Sequence, residues 1–374
     1  MKHVSGTSRP DQAVIDKEVR DGDAAAKIGA EREPSAPHLG SPDSSLVSTV
    51  GRQTGLLEVM AVLPPSTSAD IALAAGLQER YVREWLGAMV TGGIVEYEAG
   101  TAEYILPPEY RATLTNAGGF RNLARVTQFI PLLADVEEDV VESFRNGGGV
   151  PYAKYPRFQA VMAEASSLRF DGLLVDRIVP LTGMVPDLER GIEVLEIGCG
   201  KGHAINLLAQ AFPRSRYRGY DISDDGIVAA RAEAATLGNT NASFAVRDVA
   251  TLNEPRRYDL ITAFDVIHDQ VRPAAVLDRV ADALAPGGTF LMVDVRASSD
   301  LHENIPHPFG PFLYGVSTMH CLTVSLALDG AGLGAVWGEQ KALAMLNAAG
   351  FGTVDVRSLA EDPFNSYYVA RHGV

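Results

Sequence analysis

The twelve residues Gly191–Gly202, GIEVLEIGCGKG, restrict the fold of this chain more than any other stretch. An apolar run (Ile192, Val194, Leu195, Ile197) carries one acid, Glu196, near its end. It then breaks into glycines at alternate positions, Gly198, Gly200 and Gly202. A short apolar run bounded by turn residues predicts a buried parallel strand. Glycines just past its end permit a sharp bend, a close approach to a ligand and positive φ. His203 stands where a G-x-G-x-x-G dinucleotide loop needs its last glycine, and AINLLAQAF then reads as a helix. Taken alone, the stretch also describes an ordinary strand-to-helix turn.

The following segments add to it. SRYRGYDI (215–222) reads as a second strand ending at Asp221, 19 positions past Gly202. That is where an α/β nucleotide site sets a carboxylate to accept ribose hydroxyls. Ala242–Val246 reads as a third strand leading to Arg247 and Asp248, suited to an adenine edge. YDLITAFDVIHD ends a fourth near Asp265, and GGTFLMVDV a fifth near Asp294. Strand after strand finishing in an acid, on the side where open α/β sheets bind ligands, predicts a pocket.

LEIGCGKG, GYDIS, RDV, FDVIHD and LAPGGTFLMVDV, in that order, resemble the successive motifs of class I S-adenosylmethionine-dependent methyltransferases over roughly Gly191 to Val374. The resemblance implies an α/β, Rossmann-like domain of seven strands with the last antiparallel. It implies that Glu196, Gly198, Gly200 and Gly202 line the methionine part of the cofactor. Asp221, with Ile222 beside it, would hold the ribose, Asp248 with Val249 the adenine, and Asp265 is a further candidate cofactor-binding residue. More closely, residues 50–374 are similar to a bacterial group with a winged-helix-like N-terminal domain, through ERYVREWLGAMVTGGIVEY, FIPLL, GVPYAKYPRF and MHCLTVSLALDGAGLGAVWGEQ.

The domain plan is then a disordered tail at 1–45, a winged-helix-like dimerisation domain at 46–115, a helical linker or cap at 116–185 and the cofactor-binding domain at 186–374. The tail is polar and rich in Ser, Pro, Gly and Ala, too poor in apolar surface to offset its ordering entropy. Ser68–Ala75 predicts a helix with Ser68 as N-cap, Gln78–Val90 a second, and Ile94–Glu98 with Glu103–Leu106 a hairpin. Helix, helix, hairpin is the winged-helix order. The second helix sets Arg80 and Arg83 against Glu79 and Glu84, so it has no basic stripe for nucleic acid. A net charge of −15 points the same way. The resemblance implies instead a homodimer and a pocket wall. Phe120–Leu133, Glu137–Arg145 and Tyr155–Asp176 predict cap helices, with NGGGV (146–150) a hinge. Tyr152, Tyr155 and Phe158 are set, by resemblance, to flank the sulfonium through cation–π contact.

Two cysteines, Cys199 and Cys321, make no disulfide framework, which favours a reducing, cytoplasmic setting. Asn304–Leu328 lacks a formally charged residue, yet its prolines, His307, His320 and many hydroxyls predict a loop-and-helix lid and no membrane span.

Transfer to oxygen or carbon needs a proton removed from the acceptor. His268 and Asp269, just past Asp265, are the candidate base and its orienting acid; the alternative is a histidine capping the next helix. His320 sits in the lid, and two imidazoles with a carboxylate suit Zn or Fe. Relatives within the resembling group are metal-dependent C-methyltransferases of 2-oxo acids, so His268 and His320 are candidate metal ligands. The competing expectation is a metal-free O- or N-methyltransferase acting on a small secondary metabolite. An S-adenosylmethionine-sensing transcriptional regulator is the alternative of another class.

Overall fold

The computed structural model describes residues 42–372 apart from 117, 119–121 and 156, so most of the 1–45 tail and Phe120 lie outside the described residues. Helices Pro42–Gln53 and Leu56–Val62 open the chain, followed by Ser68–Ala75 and Glu79–Thr91 and a small antiparallel sheet of β1 (Ser66–Thr67), β2 (Glu96–Glu98) and β3 (Glu103–Ile105). The N-cap is Thr67, one residue before the expected Ser68: its hydroxyl accepts the Asp70 N–H at 3.3 Å. Ser68 instead turns its hydroxyl to Glu79. Val82, Trp85, Leu86 and Met89 bury one face of Glu79–Thr91, and the Trp85 indole N–H donates to the Val47 carbonyl.

The cap departs from the expected continuous helices. Residues Leu123–Gln128 are 3-10 turns, and an α-helix begins only at Phe129. Pro131 is the reason: it lacks an N–H, and its ring clashes with the carbonyl four residues back, so a helix cannot run through from 120. Likewise the last cap helix starts at Phe158, three residues late, because the residue before Pro156 is driven out of the α region; Tyr155 has φ −114° and ψ 62°. It runs to Leu173 and ends in a π-helical turn, Leu174–Ile178.

The large sheet holds β4 (Glu193–Ile197), β5 (Arg216–Asp221), β6 (Ala242–Val246), β7 (Tyr258–Phe264), β8 (Leu284–Val295), β9 (Phe351–Leu359) and β10 (Asp362–His372) in the order β6-β5-β4-β7-β8-β10-β9. The strands from β6 to β8 pair in parallel, and β10, the last in the chain, is antiparallel to both neighbours. Helices cover both faces, and this is the seven-stranded Rossmann-like architecture. Ile205, Leu208 and Leu174 pack on one side, Val276, Leu277 and Leu346 on the other. Helix Asp224–Leu237 is set by its ends: Ser223 caps it, two acids occupy its first turn and Gly238 closes it in the left-handed region.

The lid is helical. Gly310–Val316 passes through a π turn, Ser317–Cys321, into Leu322–Leu326. No helix among the described residues is long and apolar enough to cross a membrane. NGGGV does not hang free as a hinge. A Cβ on Gly149 would stand 1.9 Å from the Thr323 carbonyl oxygen, and the Val150 N–H donates to the Thr323 hydroxyl at 2.8 Å. The glycine run is a seam that lets the cap lie flat on the lid.

Candidate active site

A cavity of about 840 Å³ opens where the parallel strands end, floored by their tips and roofed by the cap and lid. The switch in strand order between β4 and β7 puts it where doubly wound sheets hold ligands. Glu196, at the end of β4, is 3% exposed, and its Oε2 has no hydrogen-bond partner. Burial, with help from the Asp221 charge, raises its pKa well above the carboxylate range. A buried acceptor left open in this way suits an incoming cationic donor.

The three glycines divide by role. Gly198 (φ 62°) packs against Val266, and a Cβ there would meet Val266 Cγ2 at 2.5 Å. Gly200 (φ 52°) lines the cavity with nothing within 4 Å of its would-be Cβ. Gly202 (φ 73°) does not line it: its missing Cβ is the space taken by Ala230 and Phe244, both at 2.6 Å. Its work is to let the first helix settle on its neighbours, a correction to its expected place beside a ligand.

Asp221 ends β5 with both oxygens engaged, accepting the N–H of Gly200 at 2.7 Å and of Ser223 at 2.8 Å. That fixes the carboxylate against the glycine bend. Ile222 is 75% exposed beside it, and Val249 is buried; both line the cavity. Asp248 does not. Its carboxylate accepts the Ala250 N–H at 2.8 Å, capping the short turn after β6, and it lies exposed near Arg272.

Asp265 holds a positive φ of 56° past β7, and its carboxylate accepts from Arg169 at 2.8 Å. Arg169 was invisible in the sequence because it lies on the cap helix Phe158–Leu173. Burial opposes its charge, but Asp265 and Asp362 outweigh that and raise its pKa. His203, the residue in place of a third dinucleotide-loop glycine, bridges Glu233 (2.6 Å) and Asp171 (2.9 Å) of the same cap helix. Two ion pairs therefore fasten the cap over the cofactor end.

His268 is buried. Its Nδ1 shares a 2.7 Å hydrogen bond with Asp294, itself fully buried, and its Nε2 lies 3.3 Å from Asp269. It orients on β8 and does not cap the following helix. Burial disfavours its charge, yet Asp294 and Asp269 prevail and lift its pKa well above the usual value. Cys321 completes the group: donor atoms of His268, Asp269 and Cys321 all lie within 4.8 Å of one another. Burial raises the Cys321 thiol to about 11.

His320 stands outside that group and outside the cavity lining. Its ring stacks on Phe158, centroids 3.4 Å apart, with Tyr155 edge-on at 4.7 Å and Tyr152 at 5.6 Å. Those aromatics box the imidazole; Tyr152 and Phe158 also line the cavity, and Tyr155 does not. Neither ring nitrogen has a partner, and burial lowers the pKa to about 4, so the ring is neutral. The π turn explains the substitution: it rotates Cys321 towards His268 and leaves His320 clamped on the cap.

Comparison with known proteins fits this geometry. Residues 43–116 match the Rv2258c-like winged HTH domain, and residues 188–349 match a methyltransferase domain family. A fatty-acid O-methyltransferase of Mycolicibacterium smegmatis is 31% identical over 168 residues, 45% of this chain and 57% of that protein. A trans-aconitate 2-methyltransferase of Streptomyces avermitilis is 33% identical over 29% of this chain and 41% of its own. The chain thus spans about half the length of these curated relatives. A Nostoc punctiforme structure, provisionally assigned as an O-methyltransferase, shares the fold over 97% of this chain and 99% of its own (TM-score 0.66, 18% identity). Human N-acetylserotonin methyltransferase in complex with S-adenosylmethionine does so over 99% and 100% (TM-score 0.62, 16% identity).

Proposed function

Starting from a chain that belongs to the S-adenosylmethionine-dependent methyltransferases with a winged helix-turn-helix domain ahead of the catalytic one, we propose that it methylates a small organic acceptor held under the cap. The observation that carries this reading is the pair Glu196 and Asp221. One is a buried acid with an unpartnered oxygen, the other a carboxylate pinned to the glycine bend, and both face one cavity. They fit an ammonium and a ribose diol, and Gly200 leaves the backbone open to close approach. When bound, S-adenosylmethionine supplies an electrophilic methyl group on a sulfonium. The chain's own task is to hold the acceptor in line, exclude water and take a proton.

His268 is the group for that proton, and because Asp294 and Asp269 hold its pKa high, turnover should rise with pH as the imidazole loses its own proton. Asp294 fixes Nδ1, which leaves Nε2 to face the acceptor, with Asp269 beside it. A second reading has one observation in its favour: the clustering of His268, Asp269 and Cys321 suits a Zn or Fe ion that would acidify a chelating acceptor such as a 2-oxo acid. Metal analysis of protein purified without chelators, on wild type, Cys321→Ser and His320→Ala, separates the two. The metal reading requires stoichiometric metal lost with Cys321 and kept without His320.

The methyltransferase reading itself is tested by calorimetric titration of S-adenosylmethionine. Wild type should bind, and Asp221→Ala should weaken binding by about 1–3 kcal/mol through the polar groups left unpaired. Wild-type affinity in that variant refutes the ribose assignment. Exposed Val62, Leu73 and Tyr81 on the N-terminal domain support a homodimer, to be checked by light scattering. Two free, buried cysteines suit a reducing cytoplasm.

A further inference from the structure

The far end of the cavity is assembled from segments distant in sequence. Arg52 on helix Pro42–Gln53, Arg125 in the turns Leu123–Gln128 and Glu164 on Phe158–Leu173 meet there. Both guanidinium groups donate to one oxygen, Glu164 Oε1, Arg125 through Nη1 at 2.9 Å. Arg125 Nη2 also donates to Asn116 Oδ1 at 2.8 Å. Arg125, Glu164 and Gln128 line the cavity, and the Nε atoms of both arginines are buried without a partner.

Arg52 and Arg125 share Glu164, and Glu58, whose Oε1 accepts the Asn116 N–H, is a more distant second acid acting on Arg125. The arginine side chains are only 16% and 11% exposed, so water screens these charges poorly. Burial above all, and then the neighbouring Arg52, lower the Arg125 pKa against the pull of Glu164 and Glu58. Beyond this end the wall turns apolar. Phe129 meets Phe158 and Phe312 edge to face at 5.6 and 5.7 Å, and Phe158 leads on to His320 and so to Cys321 beside His268.

We propose that Arg125, backed by Arg52, receives a carboxylate of the methyl acceptor, and that the acceptor is an amphipathic organic acid whose body lies along that aromatic wall. The proposal rests on the methyltransferase reading of the same cavity. The docked carboxylate is an anchor, distinct from the methyl-accepting atom near His268. Arginine suits the task because its planar fork matches a carboxylate in two bonds. Glu164 occupies that fork until the acceptor arrives and, being 41% exposed, can turn outward to water. The winged-helix domain thereby gains a part in the site, since Arg52 is its contribution.

The test titrates decanoate, decanol and decylamine into full-length protein saturated with S-adenosylhomocysteine. Decanoate should bind at least about tenfold more tightly than decanol, the scale of a charge-assisted bond, and decylamine least. Arg125→Gln should erase the preference and Arg125→Lys keep part of it. Glu164→Gln should tighten decanoate binding, because it removes the competing carboxylate; a triad that merely ties domains together predicts no such gain. S-adenosylhomocysteine affinity should stay constant throughout and so reports folding. Equal binding of decanoate and decanol, no binding of decanoate, or a Glu164→Gln variant with weakened decanoate affinity overturns the proposal while leaving cofactor binding intact. Wild type that fails to bind S-adenosylhomocysteine overturns the methyltransferase reading, and this proposal with it.

Discussion

Exchanging Gly200 and Gly202 separately for alanine should damage two different properties. Both hold positive φ, 52° and 73°, where an L-residue costs about 1–2 kcal/mol. At Gly200 that strain is the whole cost to the free protein, because the new methyl meets nothing within 4 Å. At Gly202 the methyl meets Ala230 Cβ and Phe244 Cε1 at 2.6 Å, so overpacking of about 1–3 kcal/mol is added. Gly202→Ala should therefore lose about 2–5 kcal/mol, which for a domain of this size lowers Tm by roughly 4–20 °C. Gly200→Ala should lose about 2–8 °C on the same scale. Binding reverses the order. The Gly200 methyl projects beside the bend that a ligand must approach, and should weaken S-adenosylmethionine about tenfold or more, whereas folded Gly202→Ala should bind normally. Differential scanning calorimetry and isothermal titration on both variants decide the matter. Normal binding by Gly200→Ala, together with impaired binding by a thermally unaltered Gly202→Ala, would show that the glycine roles are assigned the wrong way round.

Other consequences follow from the cap. His203 has a raised pKa: burial works against its charge, but Glu233 and Asp171 more than compensate. Its stabilising bridge is thus fully present below the unfolded value of about 6.5 and fades as pH rises through the folded value. The Tm gap between wild type and His203→Gln should accordingly be widest near pH 6 and narrow on the alkaline side; a gap that widens with pH contradicts the bridge. Removing Arg169 leaves Asp265 without its cation, so Arg169→Leu should cost about 3–5 kcal/mol by denaturant titration, with part recovered in Arg169→Leu/Asp265→Asn. Gly149→Ala forces the cap off the Thr323 carbonyl and should cost about 1–3 kcal/mol, with faster proteolysis around 146–150. Unchanged cleavage there would mean the seam is not a close-packed joint.

The N-terminal domain illustrates how a fold motif can outlast its usual use. Its second helix spends its arginines internally: Arg80 pairs with Glu84 and Arg83 with Glu79, each one turn apart, and its apolar face is buried. Towards the cap the domain sends Arg52, on its first helix Pro42–Gln53, to Glu164. A winged helix serving as a wall needs a firm core and one well-placed side chain, not a basic stripe.

That contrast also explains which parts of the site were legible. The cofactor end is made of strand tips that follow one another in the chain, so spacing pointed to Asp221 and Asp265, and the family resemblance to Glu196. Asp248 and Gly202 were misplaced for a shared reason: a motif names a position on a turn, but the side chain or missing Cβ at that position can serve the turn itself, as capping does for Asp248 and close packing for Gly202. The acceptor end obeys no local rule. Arg52, Arg125 and Glu164, or His320 and Phe158, meet only after the cap closes, and nothing in the residues around each of them signals the meeting. His320 is the sharpest case. A histidine at the fourth of five residues in a π turn can face the sheet or the cap depending on one residue of register, and the extra residue of that turn gave the inward position to Cys321. Cofactor sites read well from sequence because one ligand constrains consecutive loops; acceptor sites read poorly because each residue is placed by a different long-range contact.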